Sequence, residues 1–193
     1  IYAHARMAGK LETVIKGISI NSFLMAKNLS VSLRYATHMP ALMKALEKTS
    51  GDICEIGTGI FSTPYLRYQA MLSDRKLVSY ENYKFWYDFM LLYWKSNKNH
   101  EINFVEKYED APIEKPWDVV LVDQTPDSSR IETIKRLVNY GRYIVIHDSN
   151  GRQDKVYHYS EIYPLFKWRT IWDSDSNHAT VLSNFYDLTN FWK

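Results

Sequence analysis

Residues 52–64, with the sequence DICEIGTGIFSTP, constrain the fold of this 193-residue chain more than any other segment. The short apolar-leaning run at residues 53–56 predicts a buried strand. Gly57 and Gly59 then supply backbone freedom, and they carry no side chain where another group must approach the main chain closely. The segment therefore predicts a strand that runs into a tight glycine turn.

The residues after this turn predict the start of a helix. Ser62 or Thr63 is a good N-cap, and Pro64 stands where the first turn of a helix tolerates proline. The exposed N–H groups of a helix start favour polar or anionic ligand atoms. A strand, a glycine turn and a helix start in this order are typical of a nucleotide-like ligand site, although Gly-x-Gly is also common as a plain turn in α/β proteins.

Three further apolar runs each end in an acidic residue, and they span residues 76–81, 117–123 and 142–148. Their last residues are Glu81, Asp123 and Asp148. In an open parallel sheet, ligands bind outside the carboxyl ends of the strands. We therefore expect these three carboxylates to converge with the glycine turn on one rim of a sheet.

The remaining pattern completes an alternation of strands and helices. Three more strands are predicted at residues 102–108, 168–172 and 179–184, and helices are predicted at residues 32–49, 82–95 and 159–166. The last two strands are separated by the turn-rich segment DSDSNH. Seven strands can be counted in all.

The order of these motifs resembles that of class I S-adenosylmethionine-dependent methyltransferases over about residues 50–193. The matching segments are EIGTG at residues 55–59, the acid Glu81, VLVDQTP at 120–126 and IVIHD at 144–148. The first motif of that family is acid-x-Gly-x-Gly, whereas a dinucleotide fingerprint has a further glycine where this chain has Ser62 or its neighbours. The resemblance implies a three-layer, Rossmann-like α/β fold with a mostly parallel seven-stranded sheet and a C-terminal antiparallel hairpin.

The chain is interpreted as one domain with an N-terminal addition. Its composition, 46% hydrophobic and 24% charged, is ordinary for a globular protein. Residues 1–50 are predicted to form a helical cap, of which residues 11–28 read as mixed helix and loop, and residues 51–193 the cofactor-binding core. In methyltransferases of this kind such additions often cover the substrate pocket, and a purely structural cap is the alternative.

The resemblance assigns cofactor-binding roles to particular residues. Gly57, Thr58 and Gly59 would lie along the methionine part of S-adenosylmethionine, and Glu55 would face its ammonium directly or through water. Glu81 would bind the ribose hydroxyls, because a carboxylate accepts two hydroxyl donors at once. The adenine would lie near the loop after the strand at residues 102–108. Asp123 is a further cofactor-binding candidate, and the loop after its strand contacts the acceptor in this family. The candidates in that loop are Tyr108, Glu109 and Asp110, with no choice among them.

The chemistry requires that an acceptor be aligned with the methyl group and, for a hydroxyl, that its proton be removed. Asp123, His147 and Asp148 are the candidate catalytic residues. The loop after Asp123 is Gln-Thr-Pro, at residues 124–126, and it departs from the Asn/Asp-Pro-Pro-aromatic signature of amino N-methyltransferases. The sequence therefore favours methylation of an oxygen on a small molecule or sugar.

A metal ion is one of three interpretations of this cluster. In metal-dependent O-methyltransferases, acids after the fourth and fifth strands hold Mg²⁺, and Asp123 and Asp148 match two such positions while Asn150 could add an oxygen. His147 stands where another acid is expected, which counts against Mg²⁺ but suits a transition metal. Alternatively His147 is a general base oriented by a carboxylate, or it only braces the rim. His38, just before the first strand, is a lesser candidate.

Charge and composition support neither a nucleic-acid partner nor a membrane span. The formal net charge is only +2 and the basic residues are scattered, so nothing favours a nucleic-acid surface. The sequence contains no run of about 18 apolar residues, which is the length needed to cross a membrane. The single cysteine, Cys54, forms no intrachain disulfide and fits a reducing compartment. We expect a cytoplasmic protein with a small-molecule acceptor.

Two other functions remain open on the sequence. The segment HDSN and the loop QTP match their motifs imperfectly, which leaves room for a catalytically silent S-adenosylmethionine-binding fold that acts as a partner or regulatory subunit. Aminopropyl transfer or NAD-dependent reduction would keep catalysis but change the chemistry. The two-glycine motif and the terminal hairpin argue against reduction, and aminopropyl transfer calls for a more acidic pocket.

Overall fold

The computed structural model describes residues 33–173 and 177–193. The chain divides into two compact units, residues 1–35 and 36–193, and the strands and α-helices below all belong to the second. A short 3₁₀ helix spans Leu33–Ala36. The segment predicted as mixed helix and loop, residues 11–28, lies outside the described residues, as do the three central residues of the DSDSNH turn.

A seven-stranded sheet forms the centre of the second unit, in the order β3-β2-β1-β4-β5-β7-β6. The first five strands run parallel, and β7 is antiparallel to both β5 and β6. The strands are β1 Ile53–Ile56, β2 Leu77–Glu81, β3 His100–Phe104, β4 Trp117–Val122, β5 Gly141–Ile146, β6 Trp168–Trp172 and β7 Ala179–Ser183. The predicted fold class, including the C-terminal antiparallel hairpin, is confirmed.

The burial of each strand follows its position in the sheet. The central strands β1, β2 and β4 are buried along their whole length, whereas the edge strands β3 and β6 alternate between covered and exposed residues. A parallel strand covered by helices on both faces needs a continuous apolar run, while an edge strand does not. This difference explains why the central strands were evident from the sequence. The edge strand β6 was also predicted with its observed bounds, Trp168–Trp172.

Within the described residues, five α-helices accompany the sheet: α1 Met39–Glu47, α2 Ser62–Leu72, α3 Lys84–Tyr93, α4 Arg130–Leu137 and α5 Asp154–Tyr157. Residues of α1 and α2, including Leu42 and Leu66, share one buried cluster with Val119 of β4. Residues of α4, including Ile134, share a second cluster with Val120. Because neighbouring residues of a strand point to opposite faces, the two clusters lie on the two sides of the sheet. None of the described helices has the length and apolarity needed to span a bilayer.

The predicted bounds of β3, residues 102–108, are wrong. The strand begins at His100 and ends at Phe104, which pairs with Glu81 at the end of β2. Tyr108 lies in a separate 3₁₀ helix, Tyr108–Asp110. The start was missed because His100 and Glu101 are polar. The end was misplaced because Val105 and Tyr108 extend the apolar pattern, although β2 ends at Glu81 and offers no further residue for pairing.

The continuous helix predicted at residues 159–166 is also wrong. The chain forms two 3₁₀ turns there, Tyr159–Glu161 and Tyr163–Leu165. Pro164 lacks the N–H that an α-helix would need, and His158 has a left-handed backbone with φ of 55°. The helix predicted at residues 32–49 is likewise interrupted, since α1 itself begins only at Met39. No prediction covered α4.

Candidate functional site

The glycine turn lies directly against the end of β4. Gly57 has φ of 87°, and a Cβ placed on it would lie 2.6 Å from the carbonyl oxygen of Asp123. The N–H of Asp123 donates to the carbonyl of Ile56 at 2.9 Å. Only glycine combines this backbone conformation with such a close approach. The turn and the first residue after β4 are therefore one structural unit.

Glu55 is fully buried behind the turn and bound by hydroxyl groups. Thr63 Oγ1 donates to Glu55 Oε1 at 2.9 Å, and Ser79 Oγ donates to Oε2 at 2.6 Å. Thr63 Oγ1 in turn accepts the N–H of Gly59 at 2.9 Å. Burial raises the pKa of Glu55 to about 7, against the hydrogen bonds from Ser79 and the other hydroxyls. Glu55 therefore contacts the turn through Thr63.

The same contacts change the expected start of α2. The helix begins at Ser62, earlier than an N-cap at Ser62 or Thr63 would allow; its N-cap residue is Phe61, and no side chain caps it. The prediction that Ser62 or Thr63 is the N-cap is wrong, because the Thr63 hydroxyl is bound to Glu55 and Gly59 instead.

Glu81, at the end of β2, binds the middle of the turn. Its Oε2 accepts the N–H and the hydroxyl of Thr58 at 2.9 and 2.8 Å, and its Oε1 accepts the N–H of Tyr83 at 2.8 Å. The Trp86 indole N–H donates to the Thr58 carbonyl at 2.6 Å. Burial raises the pKa of Glu81, which is 4% exposed, while these donors act to lower it. Glu81 and the turn are thus brought together as predicted, and the role of Glu81 at a ribose stays a prediction.

Tyr108 and Asp110, two of the three adenine-site candidates in the 3₁₀ helix after β3, have different environments. Tyr108 is buried in the core cluster beside α4, and this burial raises the pKa of its hydroxyl. Asp110 is exposed. Of the two, Asp110 offers polar atoms to a ligand without rearrangement of the core, and both roles remain predictions.

A second polar cluster surrounds Asp123. Arg130 of α4 donates from its NH2 group to Asp123 Oδ1 at 2.9 Å, and Nδ1 of His147 lies 3.1 Å from the same oxygen. Burial alone would raise the pKa of Asp123, but His147 and Arg130 outweigh it and hold that pKa well below its usual range. Burial would also lower the pKa of His147, and Asp123 reverses the direction and raises it. Asp123 is therefore a paired anion.

Asp148 is held by other partners. Its Oδ2 accepts the Tyr157 hydroxyl at 3.1 Å and its Oδ1 accepts the Asn177 amide at 2.7 Å. The Arg130 NH1 group lies 4.0 Å from Asp148 Oδ2. Arg130 thus contacts both acids that were predicted to hold Mg²⁺.

Mg²⁺ does not fit the predicted pair Asp123 and Asp148. A buried guanidinium already supplies positive charge to both carboxylates. The predicted additional ligand oxygen, Oδ1 of Asn150, accepts the backbone N–H groups of Arg152 and Gln153 at 3.1 Å each. The oxygen shell that Mg²⁺ prefers is therefore not assembled by these residues.

His38 is the lesser candidate that the structure brings to the centre of the cluster. It immediately precedes α1, is 2% exposed, and has no hydrogen-bond partner among the described residues on either ring nitrogen. Its Nδ1 lies 3.9 Å from Asp123 Oδ2, and its ring meets that of His147 edge-on at 4.7 Å. Burial lowers the pKa of His38 to about 4, although Asp123 opposes the shift. His38 is therefore a neutral imidazole at neutral pH.

Sequence reasoning missed two residues of this cluster. Arg130 also donates to the carbonyl of Gln124 at 2.8 Å and to the Tyr159 hydroxyl at 3.2 Å, and Thr37 Oγ1 lies 2.8 Å from His147 Nε2. Arg130 is one of 24 lysines and arginines and follows no motif, and Thr37 is separated from its partner by 110 positions. No local signal could have found either.

Comparisons with known proteins rest on structure alone, because no protein-family model and no curated protein matches the sequence. An O-methyltransferase of Bacillus cereus in complex with S-adenosylhomocysteine is 15% identical, with a TM-score of 0.58, and the alignment covers 91% of this chain and 90% of that chain. A S-adenosylmethionine-dependent O-methyltransferase of Thermotoga maritima is 14% identical, with a TM-score of 0.58 and coverage of 86% and 71%.

A third solved structure, the human methyltransferase 10 domain containing protein, is 12% identical, with a TM-score of 0.56 and coverage of 96% of each chain. These likenesses show that the chain has the class I, Rossmann-like methyltransferase fold.

Proposed function

We propose that this chain, which has the class I methyltransferase fold, binds S-adenosylmethionine and transfers its methyl group to a hydroxyl oxygen of a small molecule or sugar. The observation that carries the proposal is the contact between the turn at Gly57 and Asp123, which places a cofactor-type turn directly beside a cluster of titratable groups. Two of the structures compared above are O-methyltransferases, which supports oxygen as the acceptor atom.

The cofactor would lie along the rim from the glycine turn to the end of β2. Thr58 and Glu81 already form a polar pair there. Thr58 fills both acceptor sites of Glu81 Oε2, and Oε1, which accepts the N–H of Tyr83, retains capacity for a ribose hydroxyl. Glu55, enclosed by hydroxyls, would act on the methionine part through Thr63 and the N–H of Gly59. Asp110 would lie at the adenine.

The acceptor hydroxyl would lie against the cluster of His38, Asp123 and His147. The sulfonium of the cofactor is already electrophilic, so the protein must mainly align the oxygen with the methyl group and remove one proton. That proton would pass to His147, oriented by Asp123, or the hydroxyl would be activated by a bound metal ion. Asp148, fixed by Tyr157, would brace the rim.

A silent S-adenosylmethionine-binding fold is the second candidate, and one observation favours it. Both ring nitrogens of His147 have partners, Asp123 at Nδ1 and Thr37 at Nε2, so neither nitrogen is free to take a proton in this arrangement. A partner or regulatory subunit would need the cofactor site, but it would not need a side chain that is free to accept a proton.

Calorimetric titration with S-adenosylmethionine, S-adenosylhomocysteine and NADH tests the proposal first. We expect micromolar binding of the first two and none of NADH. A transfer assay with methyl-labelled S-adenosylmethionine and a panel of hydroxyl compounds follows. Binding without transfer to any compound would favour the silent fold, and binding of NADH alone would contradict both candidates.

A further inference from the structure

Three side chains that can ligate a metal ion meet beside the rim. The group His38, Asp123 and His147 offers one ligand atom from each residue, all within 4.8 Å of one another. They come from three separate places: the residue before α1, the residue after β4 and the residue after β5. Ligands bound at about 2.0–2.2 Å lie roughly 3.4 Å apart around a tetrahedral ion, so side-chain movements of about 1 Å would close the site.

The environment of His38 indicates that a ligand binds there. It is 2% exposed, and in the part of the chain that the structure describes neither ring nitrogen has a hydrogen-bond partner. Leaving a buried polar group without a partner costs about 1–3 kcal/mol, and such groups are rare in native proteins. Packing alone would be served better by an apolar ring. A ligand that accepts the lone pair of a neutral imidazole removes this cost.

The outer contacts of the other two residues match those of metal ligands. A ligating imidazole donates its other N–H to a fixed acceptor, and Nε2 of His147 has the Thr37 hydroxyl at 2.8 Å while Nδ1 faces Asp123. Ligating carboxylates are themselves hydrogen-bonded, and Arg130 holds Oδ1 of Asp123. The other oxygen, Oδ2, is directed towards His38, at 3.9 Å.

We propose that His38, Asp123 and His147 bind a divalent transition-metal ion such as Zn²⁺. Two imidazoles and one carboxylate suit such an ion, whereas Mg²⁺ prefers oxygen ligands. The carboxylates of Asp123 and Asp148 outnumber the single guanidinium of Arg130, so the cluster is net negative when both histidines are neutral. Binding at Nδ1 of His147 displaces any proton on that nitrogen to solvent.

Three protein ligands leave one or more coordination positions open. A hydroxyl bound there would have its pKa lowered by the ion, which is the chemistry such a metal supplies. This role rests on the proposed function, but binding of the ion does not. In this proposal His147 acts as a metal ligand and not as a base, which is compatible with both of its ring nitrogens having partners.

Cobalt provides the test, because Co²⁺ substitutes for Zn²⁺ and has visible d–d absorption. The full chain, dialysed against a chelator, is titrated with Co²⁺ and then with Zn²⁺. We expect one Co²⁺ per chain, displaced by Zn²⁺. In His38→Phe, which keeps a planar ring but no nitrogen, affinity should fall by more than the 10–100-fold loss that removing an outer hydrogen-bond partner already causes. His158→Asn is the control, because His158 is exposed and asparagine tolerates its φ of 55°.

The wild-type protein gives a second readout that needs no variant. In the Co²⁺ form, proton NMR in water should show two strongly shifted, exchangeable imidazole N–H resonances, one from each histidine. No Co²⁺ binding, equal affinity in His38→Phe, an equal loss in His158→Asn, or absence of the two resonances would each overturn the site. A failed acceptor screen with intact metal binding would instead count against the proposed function.

Discussion

At the scale of single residues, two buried carboxylates hold the glycine turn at different points. Glu81 binds Thr58 directly, and Glu55 reaches Gly59 through the hydroxyl of Thr63. Both acids were singled out in the sequence for a cofactor. Their observed partners show a structural role as well, because these contacts fix the backbone of a turn whose glycines would otherwise leave it free to move.

Replacing Glu81 with alanine should weaken binding of S-adenosylmethionine by on the order of 1.5–3 kcal/mol, the range for a hydrogen bond to a charged group. Calorimetry on the folded variant measures this loss. Glu101→Ala, which removes an exposed carboxylate from the adjacent strand, should leave the affinity unchanged. Wild-type affinity in Glu81→Ala would remove Glu81 from the cofactor site.

Glu55 predicts a pH dependence of stability. Burial raises its pKa from an ordinary 4.5 to about 7, so between these values the folded chain keeps a proton that the unfolded chain has released. The contribution of Glu55 to stability is fully present below pH 4.5 and is lost as the pH rises through 7. Glu55→Gln stays uncharged and should therefore be more stable than wild type at pH 8, by on the order of 3 kcal/mol, but not at pH 4.5.

Urea unfolding at both pH values measures this difference. The exposed Glu132→Gln should change the free energy of unfolding by less than about 0.5 kcal/mol at either pH. A Glu55→Gln effect of the same size at pH 4.5 and pH 8 would show that the carboxyl does not titrate in this range.

At the scale of elements, the junctions between strands and helices position the chemistry. The turn between β1 and α2 packs on the residue after β4, and the start of β3 is fixed by polar contacts across strands. His100 Nε2 lies 2.9 Å from Ser79 Oγ, and its Nδ1 lies 3.2 Å from Arg67. These partners make a buried histidine acceptable in a strand, which periodicity could not indicate.

Gly57→Ala tests the junction between β1 and α2. Its φ of 87° disfavours any side chain, and the new Cβ would meet backbone atoms of Asp123 at 2.6 Å. We expect a loss of on the order of 2–4 kcal/mol in stability together with loss of S-adenosylmethionine binding. Gly151→Ala is the matched control, because nothing lies within 4 Å of a Cβ there. Equal unfolding midpoints in urea for the two variants would contradict the close approach.

At the scale of the whole molecule, the C-terminal residues complete one side of the sheet. Leu188 and Phe191 belong to the buried cluster that includes α1, α2 and β4, and the Phe191 ring lies 5.5 Å from that of Tyr143 in β5. Residues from both ends of this unit therefore cover the same face. Without Leu188 and Phe191, this part of the buried cluster would lose its cover.

Phe191→Ala should lower the free energy of unfolding by about 3–5 kcal/mol, because it leaves a cavity in this cluster. Chemical denaturation measures the change. Phe185→Ala removes a ring that is 47% exposed, against 2% for Phe191, and should have a much smaller effect. Similar decreases in the free energy of unfolding in the two variants would show that Phe191 does not pack into the core.

The sequence by itself determined the fold class, the central strands and the residues of the glycine turn. Buried strands, glycine turns and acids at strand ends depend on residues that are neighbours in the sequence. The strands β1, β2, β4 and β5, and the position of Glu55 and Glu81 beside the turn, could therefore be predicted from local pattern. The edge strand β3 and the 3₁₀ turns around Pro164 could not, because pairing and neighbours decided their bounds.

Only the tertiary structure decided the composition of the second cluster. His38, before α1, and His147, after β5, are brought into contact, and Arg130 reaches Asp123 and Asp148 from a helix that no pattern predicted. The sequence placed Asp123 and Asp148 together as ligands for Mg²⁺, and the structure places a guanidinium beside both. The physical reason is that side-chain contacts between distant segments depend on how helices cross a sheet, which local residue patterns do not encode.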